Sequence, residues 1–308
     1  MASLRTILSS PKAYQTAFGV FLQHSTARET IVECIKTFGL EATLKWSKNQ
    51  NLVKPVRILG VGSGSGKADL LFLEIIAAQL QLKRTNSEDS LEKVDIFTRI
   101  VEPNPSEMSI FQNSVSAALP TSLKKISNVA FEWELKTFQE YSRQNHQPKG
   151  FDFIHFVHSL YYMDADTVLQ QCYHKELGEN GVIFCLVQTA NSYFPQMMRQ
   201  FQDKINFGPE DVFFYTVEEL VVLAEKYHWK YHCKSLPFKV DITKCQDESS
   251  REGNLLLDFV THQENFRQNA SAELLQSMMK YLIDMSYVDE KGSRCIMGEM
   301  GGLLIYKN

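Results

Sequence analysis

Apolar residues near the amino terminus recur at the spacing of one helix face. Four of them lie at i, i+4, i+7 and i+8 and predict a first amphipathic helix: Tyr14, Phe18, Phe21 and Leu22. Ser25 and Thr26 are typical residues before a helix, and they predict a second helix that ends at about Phe38. Gly39 is the expected C-terminal stop of that helix. The polar residues 47–55 are expected to connect this helical part to the rest of the chain.

From residue 56 onward, short apolar runs alternate with helical patterns. The runs predict strands at Val56–Val61, Val94–Val101, Val129–Trp133, Phe151–Tyr162 and Gly181–Val187. Helices are expected between them at 68–82, 106–118 and 165–177, whereas the polar residues 83–94 indicate an exposed insertion. Because strands that alternate with helices at this spacing form βαβ units, the pattern predicts an α/β fold with an open, mostly parallel sheet.

The last third of the chain mixes both patterns. Helices are expected near 193–204, 217–227, 252–261 and 271–284, and strands near 229–239 and 302–306. The sequence has neither an internal repeat nor a clear linker, so a single domain is the simplest organisation.

The composition is that of an ordinary globular protein. The 308 residues are 44% apolar and 22% charged, and the net charge of −4 provides no basic field for nucleic acid. No apolar stretch reaches about 18 residues, and the amino terminus lacks the apolar segment of a secretion signal. The 6 cysteines are scattered without a Cys-x-x-Cys pair, which favours reduced thiols. We therefore expect a cytoplasmic monomer with no nucleic-acid or membrane partner.

A glycine-rich loop stands between the first predicted strand and the helix that follows it. Gly62, Gly64 and Gly66 allow a tight turn and let a ligand approach the backbone closely. A nucleoside-triphosphate loop is excluded, because Val61 and Ala68 occupy the positions of its first glycine and its hydroxyl residue. A dinucleotide loop is disfavoured, because a lysine follows where its third glycine belongs.

The remaining ligand class is S-adenosylmethionine, whose methyltransferases combine such a loop with an acid at the end of the second strand. Glu102 holds that position, and its two carboxylate oxygens suit the two ribose hydroxyls of this methyl donor. Glycines that serve packing only are the alternative. The loop and the acid nevertheless occur together at strand ends, where open α/β sheets bind ligands. The sequence therefore predicts S-adenosylmethionine as the cofactor.

Several short strings resemble the histamine N-methyltransferase family, and the similarity runs along essentially the whole chain: Phe21–Thr26, Val101–Pro103, Asp152–His155, Leu160–Tyr162 and Leu257–Phe259. The resemblance implies a Rossmann-like class I methyltransferase that depends on S-adenosylmethionine. In such a fold, the single domain 1–308 would consist of a helical cap (1–50), a donor-binding core (56–190) and a substrate-covering part with closing strands (191–308).

The resemblance also implies which residues contact the donor. Besides the glycine loop, it assigns this role to Glu102, Gln139 and Val157. The family has a further contact, a glutamine, five residues after the acid. Glu107 stands at that position in this chain and is therefore a changed donor contact.

The substrate of the family lies in a box of aromatic side chains. The resemblance places these residues in the box: Tyr14, Phe18, Phe21, Tyr161, Tyr162, Tyr193, Tyr215 and Phe259. Two tryptophans of the family are replaced, by Tyr193 and Met197. Aromatic walls suit a flat, partly cationic substrate ring. For Phe18 and Phe21, which lie on the apolar stripe of the first helix, core packing is the alternative.

The polar substrate contacts of the family are substituted together. Ala27 replaces a glutamate that pairs with the substrate ammonium, and Arg28 beside it offers a planar partner for a carboxylate. His158 replaces a glutamine that faces the imidazole, and Glu299 aligns with an asparagine. Either a changed substrate or a misalignment by one residue explains these differences. His158 and Glu299 are the candidate catalytic groups if the nucleophile must lose a proton.

Together these observations predict an enzyme that N-methylates a small aromatic amine, imidazole-bearing and histamine-like. Carnosine or histidine, which are carboxylated imidazoles, are the alternative substrates. A non-catalytic binder of an amine or nucleotide and a dinucleotide oxidoreductase are alternatives from other classes. His228, His232 and Cys233 lack a fourth ligand, so no metal site is expected.

Overall fold

An eight-stranded sheet forms the centre of the computed structural model, which describes residues 4–48, 54–85, 93–144, 150–208 and 212–307. The strands are β1 Val56–Val61, β2 Val94–Val101, β3 Ser127–Glu134, β4 Phe151–Val157, β5 Leu177–Gln188, β6 Lys230–Asp241, β7 Ser286–Val288 and β8 Arg294–Tyr306. The helices are α1 Pro11–His24, α2 Ala27–Ser47, α3 Lys67–Thr85, α4 Pro105–Ala117, α5 Thr121–Ile126, α6 Phe138–Arg143, α7 Ala165–Gln171, α8 Tyr193–Phe201, α9 Val217–Lys226, α10 Arg251–Thr261, α11 Phe266–Asn269 and α12 Ala272–Asp284. None of these helices combines the length and apolarity needed to cross a membrane.

The order of the strands creates a ligand-binding edge. The order is β3-β2-β1-β4-β5-β8-β6, with β7 paired to β8, and β1 is parallel to both β2 and β4. Val61 pairs with Val101, and Gly60 pairs with His155, so β1, β2 and β4 end at the same edge. Chain order reverses between β1 and β4, and open α/β sheets bind ligands at the carboxyl ends beside such a switch point. The predicted α/β fold with a mostly parallel sheet is confirmed.

The chain divides into two compact units. The first unit comprises Met1–Ile31, Gln188–Thr216 and Ser235–Met300. The second unit comprises Val32–Val187, Val217–Lys234 and Gly301–Asn308, and it contains β1 to β4 with the glycine loop. The sequence-based division into a cap, a core and a covering part remains a prediction.

Aromatic side chains fill the core of the second unit on both faces of the sheet. Phe153 of β4 packs edge-on against Phe72 of α3, and Phe184 of β5 stacks on the same ring. Phe156 lies three residues after Phe153, so it points to the opposite face, where it meets Phe138 of α6. Burying one such ring contributes roughly 1.5–3 kcal/mol, so these contacts hold helices on both faces of the sheet.

The predicted end of the second helix at Gly39 is wrong, because α2 continues to Ser47. A Cβ at Gly39 would lie only 3.1 Å from Cγ2 of Ile75 and 3.4 Å from the Phe72 ring, both on α3. Gly39 therefore allows the close packing of α2 on α3 instead of ending α2. Of the predicted connector 47–55, residues 49–53 lie outside the described part of the chain.

The fourth predicted strand, Phe151–Tyr162, is too long, because β4 ends at Val157. His158 has a φ of 53°, a left-handed conformation that cannot continue a strand. Leu160–Tyr162 then forms a 3-10 turn. The aromatic end of this motif is therefore a turn at the carboxyl edge of the sheet.

Other element boundaries also differ from the predictions. The helix α3 includes the start of the predicted insertion 83–94, whose residues 86–92 lie outside the described part. The helix predicted to reach residue 177 ends as an α-helix at Gln171 and is followed by a π-helical turn, Cys172–Glu176. The last strand begins at Arg294, well before the predicted residue 302. The short elements β7, α5, α6 and α11 were not predicted, because so few residues carry little periodicity.

Candidate functional site

The glycine loop follows β1, and packing requires two of its glycines. Gly62 has a φ of 66°, and a Cβ there would lie 2.4 Å from Cβ of Ser159. Gly66 has a φ of 78°, and a Cβ there would lie 2.2 Å from the ring of Phe111 in α4. No side chain fits at these distances, so both glycines let the loop pack on its neighbours.

Gly64 differs, because the place of its missing side chain is open. Its φ is 53°, and the only atom beyond its chain neighbours within 4 Å of a Cβ would be Oε2 of Glu107, at 3.9 Å, among the described residues. The backbone N–H of Gly64 donates to Oε2 of Glu102 at 2.8 Å. A ligand can therefore approach the loop backbone at Gly64, in a space bordered by carboxylates.

Glu102 lies directly after β2 and is buried. Its Oε1 accepts from the N–H of Asn104 and its Oε2 from that of Gly64, each at 2.8 Å. Desolvation raises the pKa of Glu102 against the lowering effect of these two hydrogen bonds, and the charges of Glu107 and Asp69 raise it further. A carboxylate oxygen has a second lone pair, so Glu102 can hold the loop and still accept a hydroxyl.

The local sequence at the start of α4 positions Glu107. The Asn104 side chain accepts from the backbone N–H groups of Ser106 and Glu107, and Pro105 takes the first helical position. These features fix Glu107 in the first turn, half-buried and beside Gly64.

His158 follows β4, and only one of its two ring nitrogens has a hydrogen-bond partner among the described residues. Its backbone N–H donates to the carbonyl of Leu186 in β5 at 3.0 Å, and its Nδ1 lies 3.2 Å from the hydroxyl of Tyr161. Its Nε2 is buried and has no hydrogen-bond partner among the described residues. Burial lowers the pKa of His158 to about 4, so the ring is neutral near pH 7.

Three other predicted site residues belong to the same unit. Val157 is the last residue of β4 and is half-buried, whereas Gln139 is exposed in α6. Tyr162 is 57% exposed. Desolvation and, to a smaller extent, the negative charge of Glu102 raise the pKa of Tyr162.

The first unit brings four of the predicted aromatic residues together. Phe21 and Phe259 are buried, with ring centroids 4.4 Å apart. Phe18 lies 5.4 Å from Phe259, and Tyr14 lies 5.8 Å from Phe259 and stacks on Phe18. These four rings pack against one another as a core does, and their role in a substrate box remains a prediction.

Two further aromatic residues of the first unit have other neighbours. Tyr193 is buried and lies edge-on to Phe194 and Phe238. Tyr215 stacks on Phe213 at 5.7 Å. The role of these tyrosines as substrate contacts remains a prediction.

Glu299 in β8 has a hydrogen-bond donor on each carboxylate oxygen. Ser235 Oγ donates to Oε1 at 2.6 Å, and Thr189 Oγ1 donates to Oε2 at 2.8 Å. The backbone of Glu299 also accepts from the N–H of Thr189 at 3.0 Å. Its catalytic role remains a prediction.

Ala27 and Arg28 begin α2 with opposite exposure. Ala27 is only 2% exposed, whereas the Arg28 side chain is exposed in the first turn. A glutamate at position 27 would therefore have its Cα and Cβ in a buried environment, whereas the Arg28 side chain is exposed to solvent.

Asp69 and Ser159 support the glycine loop and were not predicted from the sequence. Asp69 of α3 accepts from Ser63 Oγ at 2.7 Å, and Ser159 Oγ donates to the carbonyl of Val61 at 2.6 Å. In the sequence, Asp69 is visible only as an acid two residues after Lys67. Its burial, which indicates a structural role, is seen only in the structure. Within the described residues, no group of three or more His, Cys, Asp or Glu side chains could hold a metal ion.

Comparison with known proteins shows relatives along the whole chain. Histamine N-methyltransferase B of Xenopus laevis is 27% identical over 311 residues, which cover 100% of this chain and 96% of the relative. Carnosine N-methyltransferase 2 of Gallus gallus is 26% identical over 298 residues, which cover 96% of this chain and 85% of the relative. No protein-family model matches the chain.

A solved structure supports the fold independently. Loganic acid methyltransferase with S-adenosylhomocysteine matches 91% of this chain and 94% of its own, with a TM-score of 0.52 and 10% sequence identity. The fold is therefore that of class I methyltransferases, and the sequence relatives carry the same chemistry in their names.

Proposed function

We propose that this chain, which is an S-adenosylmethionine-dependent methyltransferase, methylates a ring nitrogen of a small, imidazole-bearing, histamine-like amine. The observation that carries the proposal is the buried Nε2 of His158, which has no partner among the described residues. His158 precedes Ser159, which packs directly on Gly62 of the loop. The nitrogen that lacks a partner thus belongs to the residue next to Ser159, the residue that packs on the loop.

The residues around Gly64 fit the donor. The open space at Gly64 admits a ligand to the backbone, and Glu102 retains lone pairs for the two ribose hydroxyls. Glu107 borders the same space and would accept a further hydrogen bond from the donor. When bound, S-adenosylmethionine supplies an electrophilic methyl group on a positively charged sulfur. The residues proposed to hold it are Gly62, Gly64, Gly66, Glu102, Glu107, Gln139 and Val157.

His158 would orient the acceptor instead of removing its proton. With a pKa of about 4 the ring is a weak base at pH 7. If Nδ1–H donates to the Tyr161 hydroxyl, Nε2 presents a lone pair that can accept a ring N–H. A neutral imidazole has one N–H and one bare nitrogen, so holding the N–H leaves the bare nitrogen as the nucleophile. Orientation then supplies much of the rate, because the donor is already activated.

A carboxylated imidazole is the second candidate acceptor. The similarity to a carnosine N-methyltransferase favours it, as does the exposed Arg28, which suits a carboxylate. The free ammonium of histamine, by contrast, would find no carboxylate partner at position 27, where Ala27 replaces the glutamate of the family. The similarity to named methyltransferases argues against a non-catalytic binder.

A methylation screen tests the proposal. Histamine, carnosine and histidine are offered with S-adenosylmethionine, and mass spectrometry identifies the product and the methylated nitrogen. Arg28→Ala then separates the two acceptor classes. Loss of kcat/KM for carnosine alone supports the carboxylated acceptor, whereas an unchanged ratio of carnosine to histamine rejects Arg28 as a carboxylate partner.

A further inference from the structure

A buried carboxylate lies beneath the glycine loop. Asp69, in the first turn of α3, is 1% exposed, and its Oδ1 accepts from Ser63 Oγ at 2.7 Å. Nε2 of His155, which is buried in β4, lies 3.3 Å from the same oxygen. A Cβ at Gly60 would lie 2.3 Å from this oxygen, so the absence of a side chain on β1 makes room for it. The loop, β1, β4 and α3 thus meet at one atom.

The contacts of Ser63 differ from those of the rest of the loop. Packing against Ser159 and Phe111 fixes the two ends of the loop at Gly62 and Gly66. Between these ends, Glu102 holds the backbone of Gly64 from one side, and Asp69 holds the side chain of Ser63 from below. Loss of the Asp69 contact would free the side chain of Ser63, while Glu102 still holds Gly64 and the N–H of Gly66 still donates to the Ser63 carbonyl at 3.0 Å.

We propose that Asp69 is a positioning residue for the methyl donor, because it fixes Ser63 and thereby the shape that the loop presents at Gly64. The inference rests on the donor alone and is independent of the acceptor. His155 contacts the same oxygen of Asp69 through Nε2. Burial lowers the pKa of His155 and raises that of Asp69. The hydrogen bond from Ser63 requires only an acceptor oxygen, which an asparagine also provides.

Calorimetric titration with S-adenosylmethionine, without any acceptor, tests the proposal. Asp69→Ala is expected to raise the donor Kd at least about tenfold, and Asp69→Asn to stay within about threefold of the wild type. Ser63→Ala, at a half-buried loop position that tolerates a smaller side chain, is expected to raise the Kd at least about threefold. With saturating donor, Asp69→Ala should keep kcat and the acceptor KM within about threefold, because the effect lies in donor binding.

Glu176→Ala is the matched control. Glu176 is another buried carboxylate of the second unit, and it accepts from Tyr141 at 3.2 Å. It directly precedes β5 and therefore lies at the amino edge of the parallel strands, opposite the loop. This variant should lower Tm but leave the donor Kd within about twofold. The proposal is overturned if Ser63→Ala binds the donor normally, if Asp69→Asn fails as Asp69→Ala does, or if Glu176→Ala weakens donor binding equally.

Discussion

Ser159 and Gly62 pack against each other at the carboxyl ends of β1 and β4. The Cβ that Gly62 lacks would lie 2.4 Å from Cβ of Ser159, whose hydroxyl donates to the carbonyl of Val61 at 2.6 Å. The turn that carries His158 is thereby locked to the loop proposed to bind the donor.

Gly64→Val should weaken donor binding. The substitution places a branched side chain in the open space and strains a residue with a φ of 53°. We expect a loss of about 1–3 kcal/mol in donor binding, measured by calorimetry. Gly292→Val is the control for strain, because Gly292 has a φ of 80° and open surroundings in a hairpin turn. Equal donor affinity in the Gly64 variant and the wild type would rule out a ligand at Gly64.

Glu102→Ala should also weaken donor binding by about 1–3 kcal/mol, because two amide donors and the ribose hydroxyls lose their acceptor. Calorimetry again gives the value. Glu134→Ala is matched to it, since Glu134 ends the neighbouring strand β3 and pairs with Lys136 at 2.7 Å. If both variants bind the donor alike, Glu102 is not a donor contact.

His158→Asn should lower kcat/KM for the acceptor by about tenfold or more while donor affinity stays within about twofold. Asparagine tolerates the left-handed backbone, so the variant removes the imidazole with little added strain. His228→Asn is the control, because His228 is exposed and has a φ of 54°. Steady-state kinetics measures kcat/KM for the acceptor, and calorimetry measures the donor affinity. A loss of donor affinity, or unfolding, in the His158 variant alone would show that this residue is structural.

Two buried histidines should each contribute less to stability as the pH drops from about 6.5 toward 4. Burial lowers the pKa of His158 to about 4 and that of His262 to about 3, whereas an unfolded histidine titrates near 6.5. At these two positions the unfolded state therefore binds more protons in this window, so their contribution to the free energy of unfolding decreases on acidification. Each histidine should account for about 2 kcal/mol at pH 5 relative to pH 7.5.

Denaturant titrations at pH 7.5 and 5.0 measure this effect. His262→Asn, which also keeps a left-handed residue, should reduce the loss of stability between the two pH values by about 2 kcal/mol. An equal loss in the His262 variant and the wild type would mean that this histidine is not buried in its neutral form.

The α/β fold was predictable because buried parallel strands are continuous apolar runs, and β1 and β2 begin and end where the sequence places them. Gly39 and His158 show the limit of such reasoning. A glycine ends a helix or allows close packing according to what lies opposite, and Ile75 lies opposite Gly39 in the fold, not in the sequence. The left-handed backbone of His158 likewise depends on its tertiary surroundings.

The candidate site was predictable where chemistry follows a local motif, as for Gly64 and Glu102. The support of the loop was not, because the burial of Asp69 and its contact with His155 join residues distant in sequence. The lowered pKa of His158 could not be predicted for the same reason, since desolvation depends on tertiary packing and not on adjacent residues in the sequence.

Transfer of an isotopically labelled methyl group from S-adenosylmethionine to histamine tests whether this chain methylates the imidazole ring. Mass spectrometry of the product should show one methyl group on a ring nitrogen, and His158→Asn should form the same product about tenfold more slowly. Carnosine and histidine in parallel reactions distinguish the second acceptor class. Methylation of the side-chain amine, or no methylation of any of the three imidazoles, would contradict the account.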